Sequence, residues 1–167
     1  HSAIQTAYDR KLEGMVFINF LPTAIYDPSV CLQTTHQIVK ETKLKPENIV
    51  FEVVESDFVA DYKHLVKILE HYRGKGYQTA LDDIGSGYST LTQFDRLMTN
   101  YIKLDMSIVN GIHVSKDKQL YLDHLLDLKR KTCVKIIAEG VEHQADYDYI
   151  KNLSVDYVQG FLFSKPL

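Results

Sequence analysis

Five acidic residues stand at the ends of short apolar runs, and no other feature of this sequence is better placed to do chemistry. IVFE ends at Glu52, TALDD at Asp82 and Asp83, YIKLD at Asp105 and KIIAE at Glu139. The first run, VFINFL, carries a polar residue, Asn19, in the same manner. If these runs are parallel strands, their C-terminal ends share one rim, and groups far apart in sequence converge there. Carboxylates gathered in this way repel one another, and burying them unpaired is costly or raises their pKa values. A divalent cation with oxygen ligands removes the conflict. Lys103, two residues before Asp105 on the same strand face, adds a fixed positive charge. A single acid after a strand is more often a helix N-cap, and Asp61, in a loop before a helix, reads that way. Four strands ending so in succession favour a metal site.

Asp82 and Asp83 need separate treatment. Neighbouring residues of an extended strand point to opposite faces. A bend at this pair would let both carboxylates reach one metal site. The following segment, Ile84-Gly85-Ser86-Gly87-Tyr88-Ser89-Thr90, has the glycines that permit a sharp turn. A phosphate-cradling loop is the rival reading. It lacks both the lysine of a P-loop and the third glycine of a dinucleotide loop.

The elements that must position these residues follow from periodicity. Apolar, β-branched runs at 15–21, 48–54, 77–83, 100–105, 134–139 and, more weakly, 155–161 read as strands. Helical spacing occupies 29–42, 61–75, 118–131 and 144–153, with a shorter turn at 89–96. Leu122, Leu125 and Leu126 mark the buried face of the third helix. Strand and helix in alternation imply βα units and a parallel sheet. Runs apolar on both faces fit strands buried on both sides. Two α/β architectures remain open on this reading: a doubly wound sheet, or a (β/α)₈ barrel carrying about six of its units. A whole barrel takes about 250 residues, and this chain has 167.

Composition excludes other classes. Apolar residues are 45% and charged residues 25%, the balance of a globular domain. A net charge of −3 gives no basic excess for duplex nucleic acid. No apolar stretch reaches the roughly 18–20 residues of a membrane span, and the first residues lack the plan of a signal peptide. Cys31 and Cys133 are isolated, as expected for reduced thiols in a cytoplasmic protein. The histidines do not cluster, so His36, His64, His71, His113, His124 and His143 read as surface or cap residues.

FEVVES, LDDIGSGYSTL, YIKLD, AEGVE and VQGFLFSKPL, in that order, resemble the EAL domain of bacterial cyclic di-GMP phosphodiesterases. FINFLP resembles the asparagine-bearing strand that precedes them. The resemblance runs from about residue 15 to the end, and marks residues 1–167 as a partial EAL phosphodiesterase domain. It implies a TIM-type (β/α)₈ barrel, incomplete here, that hydrolyses cyclic di-GMP to linear pGpG with two divalent ions, Mg²⁺ or Mn²⁺. By motif it assigns Asn19, Glu52, Asp82, Asp83 and Glu139 to metal-ligand positions. Lys103 matches the lysine that contacts the attacking water, Asp105 the acid beside it, and Gln159 a glutamine near metal-bound water or substrate. Glu139 is also a candidate proton acceptor. Glu55 matches the glutamate that anchors the loop after Asp83. That loop, residues 84–90, is associated in the family with homodimer formation and regulatory coupling. A fused sensor or GGDEF-type domain is the expected companion.

The departures are specific. No Glu-Ala-Leu tripeptide occurs, so the metal-ligating glutamate of that motif is missing from these residues. Ile84 stands where the family usually has Phe, and Ser86 and Thr90 where it has Thr and Ser. The expectation is an enzyme in its parent protein, with little turnover by the 167 residues alone. The competing reading is a catalytically inactive module that binds cyclic di-GMP or regulates. Lys103 and both aspartates are in place, which favours the enzyme.

Overall fold

The computed structural model describes residues 2–42, 44–54, 62–86 and 94–165. Six strands lie in one sheet in chain order: β1 (Val16–Asn19), β2 (Ile49–Val54), β3 (Gln78–Ile84), β4 (Tyr101–Leu104), β5 (Lys135–Ala138) and β6 (Tyr157–Val158). The pairs β1–β2, β4–β5 and β5–β6 are parallel. Helices alternate with them: α1 (Ser2–Asp9), α2 (Pro28–Thr42), α3 (Tyr62–Gly74), α4 (Phe94–Leu97), α5 (Met106–Val109), α6 (Lys116–Lys131) and α7 (Gln144–Ile150). The chain divides into two compact units, residues 1–80 and 81–167, and β3 runs across the boundary.

In the first unit an aromatic cluster forms the core. Phe51 of β2 packs on Tyr72 of α3 at 4.5 Å between ring centroids and on Tyr77 at 5.4 Å, with Phe20 edge-on to it at 6.1 Å. Ile38, Val39 and Leu32 of α2 and Ile68 of α3 close around these rings. Truncating Phe51 to alanine would cost about 3–5 kcal/mol. Burial holds the Tyr72 phenol protonated, its pKa pushed up to about 12. α2 starts where its sequence says it should. Asp27 accepts a hydrogen bond from the Ser29 backbone N–H at 2.8 Å, and Pro28 fills the first position, where no N–H is needed. α1 has no counterpart in the periodicity reading. It is eight residues long and, among the residues whose burial is described, buries Ile4 and Ala7, too short a stripe to stand out.

In the second unit α6 and α7 answer the spacing at 118–131 and 144–153, α5 is unpredicted, and the expected turn at 89–96 is described only from Phe94, where α4 runs to Leu97. Leu122, Leu125 and Leu126 of α6 are buried, and Ile150 of α7 is fully so. Lys129 near the end of α6 pairs with Asp156 at 2.6 Å, tying that helix to the segment before β6. α7 stops at Ile150, three residues short of the expected end, and β6 has only two residues. β2 and β4 are buried on both faces as expected, whereas β1 is half-covered and Asn19 is exposed. His113, His124 and His143 are exposed, the last at the N-cap position of α7, as the surface or cap reading expects, whereas His36 and His64 are half-buried. His36 bonds the Tyr77 hydroxyl at 2.9 Å, His64 meets the Ile25 carbonyl oxygen, and His113 meets Asp146. Cys31 and Cys133 are exposed. Among the described residues no helix is long and apolar enough to cross a membrane.

Candidate metal centre

Each unit brings some of the expected site residues together. In the first, β1 and β2 run in parallel with Asn19, the last residue of β1, and Glu52, two residues before the end of β2, as register partners. The backbone supports this end of the pair, since Phe20 N–H donates to the Glu52 carbonyl at 3.1 Å. Glu52 is 4% exposed, an acid held inside the fold.

In the second unit Asp82, Asp83 and Glu139 converge, each with a carboxylate oxygen within 4.8 Å of the others. The bend that this requires is at Asp83, whose φ of +58° lies in the left-handed region. That turn breaks the alternation of an extended strand and lets neighbouring aspartates serve one point in space. Asp tolerates this conformation better than most residues because its short polar side chain bonds locally. The Asp83 N–H donates to Asp82 Oδ1 at 3.0 Å, and Ser86 closes the turn on the Asp83 carbonyl at 2.8 Å.

Lys103 stands among these acids. Tyr101 and Lys103 share one face of β4, and the lysine Nζ lies 2.9 Å from Asp82 Oδ1 and 3.0 Å from Glu139 Oε1. All three side chains are largely covered, at 10%, 10% and 18% exposure for Lys103, Asp82 and Glu139. Within reduced dielectric, such contacts are stronger than their exposed equivalents. Three carboxylates and one ammonium leave two negative charges. An all-oxygen donor set of that charge fits one hard divalent cation, so the residues present suit Mg²⁺, Mn²⁺ or Ca²⁺.

The other expected residues have different settings. Asp105 caps α5: its Oδ1 accepts from the Ser107 N–H at 2.8 Å, while its own N–H donates to the Ile84 carbonyl at 3.0 Å. Thus the N-cap role, the ordinary one for an acid after a strand, is realised here. The cap reaches the site through α5. Gly85 follows the aspartate pair with φ +104°, and a Cβ there would lie 2.4 Å from Ile108 Cγ1. Gly140 follows Glu139 with φ +63°, and a Cβ there would lie 2.4 Å from Met106 Cβ. Both turns that carry the acids therefore abut α5, with glycine the residue that fits. Gln159 is exposed beside a cavity of about 570 Å³ that Phe161 and Phe163 also line. Its backbone joins the tails of β5 and β6, through the Ala138 carbonyl at 2.8 Å and the Val141 N–H at 3.0 Å. Glu55, and residues 87–90 of the loop expected to support dimer formation, lie outside the described residues.

A further buried acid, beyond Glu52 and Asp82, escaped the sequence reading. Asp146, in the first turn of α7, has no exposed surface. It accepts from the Gly111 N–H at 3.0 Å, the His113 N–H at 3.2 Å and His113 Nδ1 at 2.7 Å. Burial works to raise its pKa, but these bonds outweigh it and hold the carboxyl below its ordinary value. An acid near a helix start is too common a signal to have marked it.

The family model of the EAL domain matches residues 2–166. The chain belongs to the EAL domain family. Its relatives include the probable cyclic di-GMP phosphodiesterase PdeG of Escherichia coli strain K12, 34% identical over 153 residues, which make up 90% of this chain and 29% of the relative. The bifunctional diguanylate cyclase/cyclic di-GMP phosphodiesterase MucR of Pseudomonas aeruginosa is 32% identical over 124 residues, 74% of this chain and 18% of MucR. The chain thus spans less than a third of the length of these curated relatives. Among solved structures, a standalone EAL protein from Vibrio cholerae O395 in its c-di-GMP-bound form superposes with a TM-score of 0.91 at 39% identity, over 98% of this chain and 69% of that one. Klebsiella pneumoniae BlrP1 in a manganese and cyclic di-GMP complex gives 0.91 at 28% identity, over 98% and 42%. The same protein is also known in a calcium complex. The fold is accordingly the TIM-type barrel of EAL domains, of which these residues carry six strands.

Proposed function

We propose that this EAL chain takes part in metal-dependent hydrolysis of cyclic di-GMP to linear pGpG. The observation that carries the reading is the cluster of Asp82, Asp83 and Glu139 around Lys103. Asp82, Asp83 and Glu139 of the second unit are the proposed oxygen ligands; Asn19 and Glu52 of the first unit are proposed as ligands from their match to the family motif alone. Mg²⁺ or Mn²⁺ is the proposed ion, two in number. Such ions, when bound, lower the pKa of water and neutralise a phosphodiester oxygen. Around them the chain's own groups have distinct tasks. Lys103 orients the attacking water and places a fixed positive charge beside the phosphate. Glu139, held by Lys103 at one oxygen, is positioned to accept a proton at the other. Asp105 holds α5 and with it the two glycine turns that aim the ligands. Gln159 lies at a cavity margin where a substrate base could bind.

The relatives named as phosphodiesterases and the structures solved with cyclic di-GMP support this substrate. The test is chromatographic detection of pGpG from cyclic di-GMP with the full natural protein in Mg²⁺ or Mn²⁺, before and after chelation. Product formation that chelator abolishes and Mn²⁺ restores is the expected result. Turnover that is indifferent to chelation, or no turnover with tight cyclic di-GMP binding, would overturn it.

A further inference from the structure

We infer that Lys103 is a built-in counter-ion that competes with divalent metal, and so sets how tightly the Asp82–Glu139 cluster holds its ion. The inference rests on the proposed metal function and adds a property which that function does not require. A lysine that only oriented water would need one face toward the reacting groups. Lys103 instead holds an oxygen of each of two candidate ligands, at 2.9 Å and 3.0 Å, from a position on β4 between the strands that bear them. Its ammonium and a divalent ion therefore draw on the same two carboxylates.

Two consequences follow from the charges. First, the ammonium offsets part of the repulsion among three acids packed within 4.8 Å, so it stabilises the cluster when no divalent ion is engaged. Taking one partner from a buried ion pair leaves an uncompensated charge, a strongly destabilising change. Second, the same positive charge repels an arriving cation. Neutralising it should strengthen metal binding, by about tenfold or more for close neighbours in partly buried surroundings. Lys103 thus trades metal affinity for stability of the metal-poor protein. A site tuned in this way takes up and releases its ion over an accessible concentration range instead of holding it permanently.

The experiment measures Mn²⁺ binding by electron paramagnetic resonance, and Mn²⁺-dependent thermal stability, in the full chain. The variants are Lys103→Gln, Lys103→Met and Asp82→Asn. The expected result is that both neutral Lys103 variants melt lower than wild type without metal. Both should also bind Mn²⁺ about tenfold more tightly and gain more Tm from saturating Mn²⁺. Asp82→Asn should bind it more weakly. Equal or weaker Mn²⁺ binding in the Lys103 variants, with Asp82→Asn still impaired, overturns the counter-ion role and leaves the metal site standing. Mn²⁺ binding that Asp82→Asn does not alter overturns the metal site, and the counter-ion role with it. If a Lys103 variant is unfolded without metal, recovery of its fold by Mn²⁺ supports the inference. Failure of Mn²⁺ to restore it sinks the inference, since the ion could not then replace the ammonium.

Discussion

Two buried acids of the second unit, Asp82 and Asp146, show how surroundings separate an acid available for chemistry from one used to build the fold. Asp146 is fully covered and meets donors alone: two backbone N–H groups and one imidazole nitrogen. Its charge is satisfied inside the protein, and its pKa lies below the ordinary value. Asp82 is also buried but has other acids for neighbours, with one lysine between it and Glu139. Asp146 is closed by two backbone N–H groups and an imidazole, all from one loop. Asp82 sits in a cluster whose excess negative charge still calls for a cation. Burial is common to both, and the identity of the neighbours decides.

The largest expected effect breaks the comparison on the Asp82 side. Lys103→Ala and Asp82→Asn should each reduce phosphodiesterase turnover by about 10²–10³-fold or more, since in the proposed mechanism both groups act where charge develops. The fold should survive, as shown by an unchanged far-ultraviolet circular dichroism spectrum. Turnover within a factor of three of wild type in folded variants would remove these residues from the mechanism.

The Asp146 side should respond in stability and leave the chemistry alone. Asp146→Ala strands the Gly111 and His113 N–H groups, at a cost of about 1–3 kcal/mol. Urea denaturation measures this, and turnover per folded molecule should stay near wild type. The carboxyl also makes stability depend on acid. Its folded pKa is depressed, so its contribution is complete above the unfolded value of about 3.9 and is lost as pH falls through the folded value. Wild type should therefore lose stability below about pH 4 more steeply than Asp146→Ala. Parallel acid titrations of the two proteins would contradict that assignment.

The sequence carried the same asymmetry. Strands and helices were readable because buried strands here are continuous apolar runs and α6 keeps a regular stripe through Leu122, Leu125 and Leu126. Asp82, Lys103 and Glu139 were readable as a group, because parallel strands bring their ends to one rim whatever the loop lengths between them. The bend at Asp83 was legible too, from paired aspartates followed by glycines. Asp146 and His113 were not. They lie 33 residues apart, on a loop and a helix start, and no period links those elements. α1 and α5 are too short to display a period. The His36–Tyr77 bond likewise joins positions 41 residues apart that only packing brings together. What local repetition encodes is visible in one dimension, and side-chain pairs made by tertiary packing are not.

Asp105 sharpens the comparison because it belongs to neither class. It stands on the rim beside the site, yet one oxygen serves the α5 N-cap, and α5 abuts the turns after Asp83 and Glu139. Two readings of its importance can be separated by chemistry. If the cap is what matters, Asp105→Asn and Asp105→Ser should retain stability, since both side chains accept the same N–H, while Asp105→Ala loses about 1 kcal/mol. Activity should then follow the cap, with alanine weaker than serine or asparagine. If the negative charge itself takes part in the reaction, all three variants should lose turnover alike, whatever their stability. The α5 geometry favours the first outcome for stability, because the Ser107 N–H needs an acceptor and not a charge. Measuring Tm and turnover for the three variants side by side decides it. Equal stability of Asp105→Ala and Asp105→Asn would mean that the cap contributes nothing, and that the two glycine turns hold Asp83 and Glu139 without help from α5.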